Sequence, residues 1–165
     1  MSVKKGVKKI KILCFDQATR ITGYSVFEDN KLIAYGTLKA NPNEKNYIER
    51  LKEMNEMIVD LIEKAKPDYV VIEEIQYQNN QLTYKQLSQL QGIIMAYLFK
   101  IDIGFTIIEP SAWKAFCNIK GKKRDEQKTN TIKFVKAKFG IDVSEDEADA
   151  ISIGIWAINY IKGRN

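Results

Sequence analysis

Lys9–Phe15 reads KIKILCF, Thr22–Glu28 reads TGYSVFE and Leu32–Leu38 reads LIAYGTL. Each is a run of strand length rich in β-branched and aromatic residues, and Asp29-Asn30-Lys31 is a turn-like separator between the second and third. Three such strands joined by short turns predict an antiparallel meander. Beyond it the period changes. Tyr47, Ile48, Leu51, Met54, Ile58, Leu61, Ile62 and Ala65 recur at spacings of three and four, which predicts an amphipathic helix from Glu44 to Lys66, ended by Pro67. Tyr69–Ile75 (YVVIEEI) reads as a buried strand, and Gln81–Ile101 as a helix carrying Leu87, Leu90, Ile94, Leu98 and Ile101. Gly104–Ile108 is a short strand, and Pro110 opens a helix through Trp113. Gly121–Gln127 (GKKRDEQ) reads as an exposed loop, followed by helices over Lys128–Phe139 and Glu145–Ile161. The order β-β-β-α-β-α-β-α-α-α implies an α/β fold, a mixed five-stranded sheet built from the meander plus βα units and flanked by helices. The 165 residues suit one domain, with residues 1–8 as a basic N-terminal tail; Lys4, Lys5, Lys8 and Lys9 read as solubilising.

The absence of histidine excludes Ser-His-Asp and Cys-His machinery and any imidazole zinc site. Catalysis must then run on carboxylates, lysine, tyrosine or a bound metal. A net charge of +5 favours an anionic partner. Ala150–Trp156, interrupted by Ser152 and Gly154, is too short for a membrane span, and no apolar leader follows Met1. Cys14 and Cys117 stand in apolar company without metal-ligand spacing, so reduced core thiols and a cytoplasmic location are expected.

Four acidic positions lie at strand ends or at a helix start. Asp16 closes the first strand, at the carboxyl end where α/β sheets bind ligands, although a turn-capping aspartate has the same appearance. Glu73 and Glu74 end the most apolar strand. Alternation sends them to opposite faces, so only one serves a given site, and the residues alone leave the choice open. A carboxylate after Val70-Val71-Ile72 is costly to bury unless it is paired or coordinates a metal. Ser144 and Glu147 form a capping box, and the helix dipole gives Glu145 and Asp146 a local reason to be acidic. Asp149 lies beyond that turn and shares a face with Asp146, beside the stripe Ala148, Ile151, Ile155, Ile158. All-oxygen donors of this kind suit Mg²⁺ or Mn²⁺, and two ions would hold a phosphodiester and activate an attacking water.

The order of these acids resembles that of RuvC-type Holliday junction resolvases, within the ribonuclease-H-like superfamily. Asp16-Gln17-Ala18-Thr19-Arg20-Ile21-Thr22-Gly23-Tyr24 is similar to the first acidic motif, D-x-[GA]-[ST]-x-x-[TS]-G-[YW]. Val71-Ile72-Glu73-Glu74 resembles the second, a glutamate after a V-I-E strand. Asp146-Glu147-Ala148-Asp149-Ala150 resembles the last, D-x-x-D-A. The resemblance implies a ribonuclease-H-like fold, a homodimer that nicks two strands of a four-way DNA junction, and two Mg²⁺ or Mn²⁺ ions held by Asp16, Glu73, Asp146 and Asp149. It selects Glu73 over Glu74. Lys114 falls where family members carry a DNA-binding lysine, and a later lysine aligns with Arg124 or Lys128. Gln76 stands where bacterial members carry an aromatic residue, with Tyr77 beside it. The Lys-rich start and divergent middle suggest a phage-type or phage-derived member.

Lys114, Lys120, Lys122, Lys123, Arg124 and Lys128 cluster about Gly121, a charge run that a solvated loop also explains but that suits phosphate neutralisation. The expected DNA contacts are Lys114, Lys122, Lys123, Arg124, Lys128 and Tyr77. Helix Gln81–Ile101, apolar on more than one face (Leu82, Tyr84, Leu87, Leu90, Ile93, Ile94, Tyr97), is the expected dimer interface. Three other readings share parts of this pattern: a related ribonuclease acting on an RNA–DNA hybrid or rRNA precursor, an actin-like nucleotide-binding protein, and a non-catalytic junction-binding module. The second needs two domains about its nucleotide, and the third has no use for four intact acids.

Overall fold

The computed structural model describes residues 9–164, so the basic tail expected over 1–8 lies outside the described residues. Strands β1 (Lys11–Asp16), β2 (Ile21–Glu28), β3 (Lys31–Lys39), β4 (Tyr69–Glu73) and β5 (Gly104–Ile108) form one sheet in the order β3-β2-β1-β4-β5. The first three pair antiparallel, the expected meander, while β1, β4 and β5 run parallel. Helices α1 (Tyr47–Ala65), α2 (Gln81–Lys100), α3 (Pro110–Phe116), α4 (Arg124–Phe139) and α5 (Glu145–Lys162) complete the chain.

Alternation along the central strands divides the core. Leu13, Phe15, Val70 and Ile72 pack with Leu51, Met54 and Ile58 of α1 and Leu90, Ile94 and Leu98 of α2. Ile12, Cys14 and Val71 face the other way, onto Trp113 of α3 and Ile153 and Ala157 of α5. A third cluster joins Phe27 and Ile151 to Val135 of α4. Both cysteines are buried and free. Among the described residues no helix is long and apolar enough to cross a membrane.

Helix α1 starts at Tyr47 rather than Glu44, several other ends shift by a residue or two, and three further differences bear on the site. β4 ends at Glu73 rather than Ile75. Helix α3 runs on to Phe116. Helix α4 starts at Arg124, so the last four residues of the expected Gly121–Gln127 loop are helical. RDEQ looks like loop by its charge, but Asp125 and Glu126 occupy the first turn, where the helix dipole favours acids, and the Gln127 amide ties back to the Gly121 carbonyl at 3.0 Å.

Helix α5 lies unusually close to β1 and β2, because small residues line the contact. A Cβ on Gly23 would fall 2.1 Å from the Asp146 carbonyl oxygen, and one on Gly154 would fall 2.2 Å from the Phe27 ring. The Ser25 hydroxyl donates to the Ala150 carbonyl at 2.6 Å, anchoring the helix midway. The capping box of Ser144 and Glu147 is formed as expected. Gly154→Ala should therefore cost roughly 1–3 kcal/mol through overpacking against Phe27. Gly92→Ala, on an exposed helix position with nothing within 4 Å, should gain about 0.5–1 kcal/mol. Calorimetric melting of the two variants checks the pair, and equal shifts would contradict the close seating of α5.

Candidate active site

Asp16 is the last residue of β1 and Glu73 the last of β4, two neighbouring parallel strands whose register runs from Ile12 opposite Tyr69 to Phe15 opposite Ile72. Parity puts Asp16 on the side of Ile12 and Cys14, and Glu73 on the side of Val71, which is the α3–α5 face. Helix α5 delivers Asp146 and Asp149 to the same place, since its first turn rests on Gly23, the β2 partner of Asp16. The chain between β1 and β2 is held in a tight turn: the Thr22 hydroxyl donates to the Ala18 carbonyl at 2.7 Å and accepts from the Ala18 N–H at 3.0 Å. The adjacent Thr22 and Gly23 of the first motif thus have local jobs, one pinning the turn and one admitting the helix.

These carboxylates line a cleft of about 660 Å³. Lys114, Arg124 and Lys128 also line it, together with Gln17, Gln78, Gln127 and Thr131. Tyr77, Lys122 and Lys123 do not line it; Tyr77 is 55% exposed at the β4–α2 loop, edge-on to Tyr84 with ring centroids 5.7 Å apart. Glu74 does border the cleft, contrary to the expected exclusion of one glutamate by alternation. The strand ends before it: the Glu74 N–H bonds the Ile108 carbonyl and its carboxylate folds onto the N–H of Ile75. Glu73 alone of the two stands within the field of Asp16 and Asp149.

Burial pushes the Asp16 carboxyl well above the usual aspartate range, and the neighbouring Glu73, Asp149 and Asp146 charges push it further, with a hydrogen bond to Glu73 adding to the effect. Asp149 is raised to about 7, again mainly by burial and then by Glu73, with Lys114 and Lys128 opposing. Asp146 is raised less, by burial, with Lys128 as the chief opposing charge. The surrounding cations are otherwise engaged. Lys128 pairs with Glu145 at 2.5 Å, the Lys114 ammonium donates to the Gln127 side-chain oxygen at 3.2 Å, and Arg124 donates to the Gln78 side-chain oxygen at 2.5 Å.

A group of oxygen donors that repel one another is the donor chemistry of a hard divalent cation. The residues fit such an ion in kind. Among the described residues, however, no three acidic side chains converge as a ready-made cage, so binding would draw them inward. Two residues that touch Glu73, one lining the cleft and one in the core behind it, carried no signal in the sequence. Gln17, 6% exposed, donates to the Glu73 carbonyl at 3.4 Å while its side-chain oxygen is buried without a partner. The Trp113 indole N–H donates to Glu73 Oε1 at 2.7 Å.

A β3-β2-β1-β4-β5 sheet with acids at the ends of β1 and β4 and at the start of the last helix defines a ribonuclease-H-like nuclease fold. The family model described as crossover junction endodeoxyribonuclease RuvC matches residues 12–157. The RuvC endonuclease of Campylobacter hominis is 32% identical over 93% of this chain and 99% of its own, and that of Dictyoglomus thermophilum 29% identical over 91% and 95%. The structure of T. thermophilus RuvC in complex with Holliday junction substrate aligns with a TM-score of 0.75 over 93% of this chain and 97% of that one; at 15% identity this likeness speaks for the fold. The chain belongs to the RuvC family of crossover junction endodeoxyribonucleases, which are metal-dependent nucleases.

The raised aspartates carry a stability consequence. Folded Asp149 keeps its proton up to about pH 7 and the unfolded residue only to its ordinary value near 3.8, so the folded state binds more protons between them. The contribution of Asp149 to stability is therefore fully present below about pH 4 and is lost as pH rises through 7. In metal-free buffer at pH 8, Asp149→Asn should melt at a higher temperature than the parent, with a stability gain of up to roughly 4 kcal/mol, and show a shallower fall across that window. A lower melting temperature at pH 8 would contradict the crowding of charge.

Proposed function

We propose that this chain resolves four-way (Holliday) DNA junctions by hydrolysing phosphodiesters at this cleft, with Asp16, Glu73, Asp146 and Asp149 as the metal-binding and catalytic residues. The observation that supports this most is the gathering of four carboxylates from β1, β4 and α5 in one cleft whose rim carries Lys114, Arg124 and Lys128. Two Mg²⁺ or Mn²⁺ ions at such donors supply charge neutralisation at the phosphodiester and a water of lowered pKa. The protein's own part is positional. The strand ends fix Asp16 and Glu73, and the first two turns of α5 fix Asp146 and Asp149. Lys114, Arg124 and Lys128 offset the repulsion between carboxylates and an incoming phosphate, exchanging their present partners Gln127, Gln78 and Glu145 for phosphate oxygens.

Lys122 and Lys123, exposed ahead of α4, extend the basic surface away from the reacting bond, and Tyr77 offers an exposed ring for a base at the junction. Two symmetric nicks call for two sites facing one junction, and a C₂ dimer is the simplest arrangement. Leu90, Ile94 and Leu98 of α2 belong to the core, which leaves Leu82 (60% exposed), Tyr84 and Phe99 (67% exposed) as its outward apolar residues and narrows the interface expected for it.

Labelled four-way, linear and RNA–DNA hybrid substrates with Mg²⁺ test the assignment. Asp16→Asn and Glu73→Gln should abolish junction cleavage while junction binding survives, and Glu74→Gln should cost little. Wild-type rates in the first two, or a preference for the hybrid, would overturn the reading. The rim has its own signature. Arg124→Ala with Lys128→Ala should lower the slope of log affinity against log salt by about one unit for each phosphate no longer neutralised, equally for all sequences. An unchanged slope would return both residues to their partners Gln78 and Glu145.

A further inference from the structure

Trp113 is the largest fully buried side chain among the described residues, packed with Ile12, Cys14, Val71, Ile108, Ile153 and Ala157. Packing alone would be served there by an aliphatic or phenyl side chain. An indole adds an N–H, which is costly to bury unless it is used. It is used on the site: the Nε1–H donates to Glu73 Oε1 at 2.7 Å. The Glu73 backbone carbonyl is met by the amides of Gln17 and Gln91, at 3.4 and 3.5 Å, but these leave the side chain free to turn. Apart from the Asp16 carboxyl, Trp113 is the one side chain among the described residues that hydrogen-bonds the Glu73 carboxylate.

We propose that Trp113 is a positioning residue for the metal-dependent reaction: core packing fixes its ring, and its N–H ties down Oε1 of Glu73, leaving Oε2 as the oxygen available to an ion. The proposal rests on Glu73 being a ligand. Carboxylate ligands are commonly oriented by a hydrogen-bond donor behind them, and loss of that donor costs about 10–100-fold in metal affinity or activity. Helix α3 delivers a cation from the next residue as well. The Lys114 ammonium lies 5.5 Å from the Trp113 ring centroid on its way to Gln127, so the same indole supports one acid and one base of the cleft. A phenyl ring at 113 would keep a face for Lys114 and lose the N–H.

The test uses the full chain with Trp156→Phe, which leaves Trp113 as the only indole; Trp156 stacks on Tyr160 and does not line the cleft. In that background Trp113 is changed to Phe, and separately to benzothienylalanine, which keeps the size of the bicyclic ring without its N–H. Mn²⁺ binding is measured by calorimetry without DNA, and junction binding in Ca²⁺. The Mg²⁺ concentration for half-maximal cleavage and the melting temperature complete the set. Both variants should bind Mn²⁺ about 10–100-fold more weakly and need correspondingly more Mg²⁺, with junction affinity unchanged. The benzothienyl variant should melt with the parent, which separates positioning from packing. In the parent, the single indole N–H resonance should shift on adding Mg²⁺. Unchanged Mn²⁺ affinity in the benzothienyl variant, where Glu73→Gln loses it, would overturn the role of Trp113 alone. Retention of Mn²⁺ binding and cleavage by Glu73→Gln would overturn both that role and the ligand assignment beneath it.

Discussion

The contact of the Asp146 backbone with Gly23 decides where this protein concentrates its negative charge. Gly23 pairs with Asp16 across β1 and β2, so a helix resting on that glycine delivers its first acids beside the end of β1. Any side chain at 23 would push the helix start away, since even a Cβ would fall 2.1 Å from a carbonyl oxygen. Gly154 and Ser25 hold the rest of α5 in the same close seat. A local steric allowance thus fixes the distance between acids that stand at opposite ends of the chain.

That seating has an electrostatic cost which the rest of the cleft only partly offsets. Asp16 and Asp149 are both raised by burial and by each other's neighbours, and the nearby cations Lys114 and Lys128 lower Asp149 without restoring it to the ordinary range. A folded protein that keeps such a cluster gives up stability for function, as sites of catalysis commonly do. A divalent cation held by Asp16, Glu73, Asp146 and Asp149 would relieve the conflict by neutralising charge that the fold cannot disperse. Affinity for a metal and a stability penalty for ionising these acids would thus have the same origin.

Much of the fold could be read from the sequence because its periods are clean. The meander, the amphipathic spacing of α1 and the capping box of α5 each follow from local residue patterns and appear as expected. The end of β4 could not be read. Glu74 continues the strand pattern in sequence, but it is the pairing with Ile108 of β5 and a carboxylate folded onto Ile75 that set its position. The start of α4 was hidden because RDEQ is polar throughout, so that hydrophobic periodicity gives no signal there. In and behind the cleft, the acids and Lys114, Arg124 and Lys128 came from motif positions and the basic run. Trp113 and Gln17 did not, because a buried tryptophan and a lone glutamine look like core and turn until the partner of each polar atom is known.

Everything proposed for the cleft depends on the four gathered carboxylates serving as a cation site. The most direct measurement is an anomalous difference map from crystals of the wild-type protein soaked in Mn²⁺. Mn²⁺ peaks should appear bounded by Asp16, Glu73, Asp146 and Asp149, and be absent from crystals of Asp16→Asn treated alike. Full soaking with no peak in that cleft, or a peak that persists in Asp16→Asn, would contradict that role.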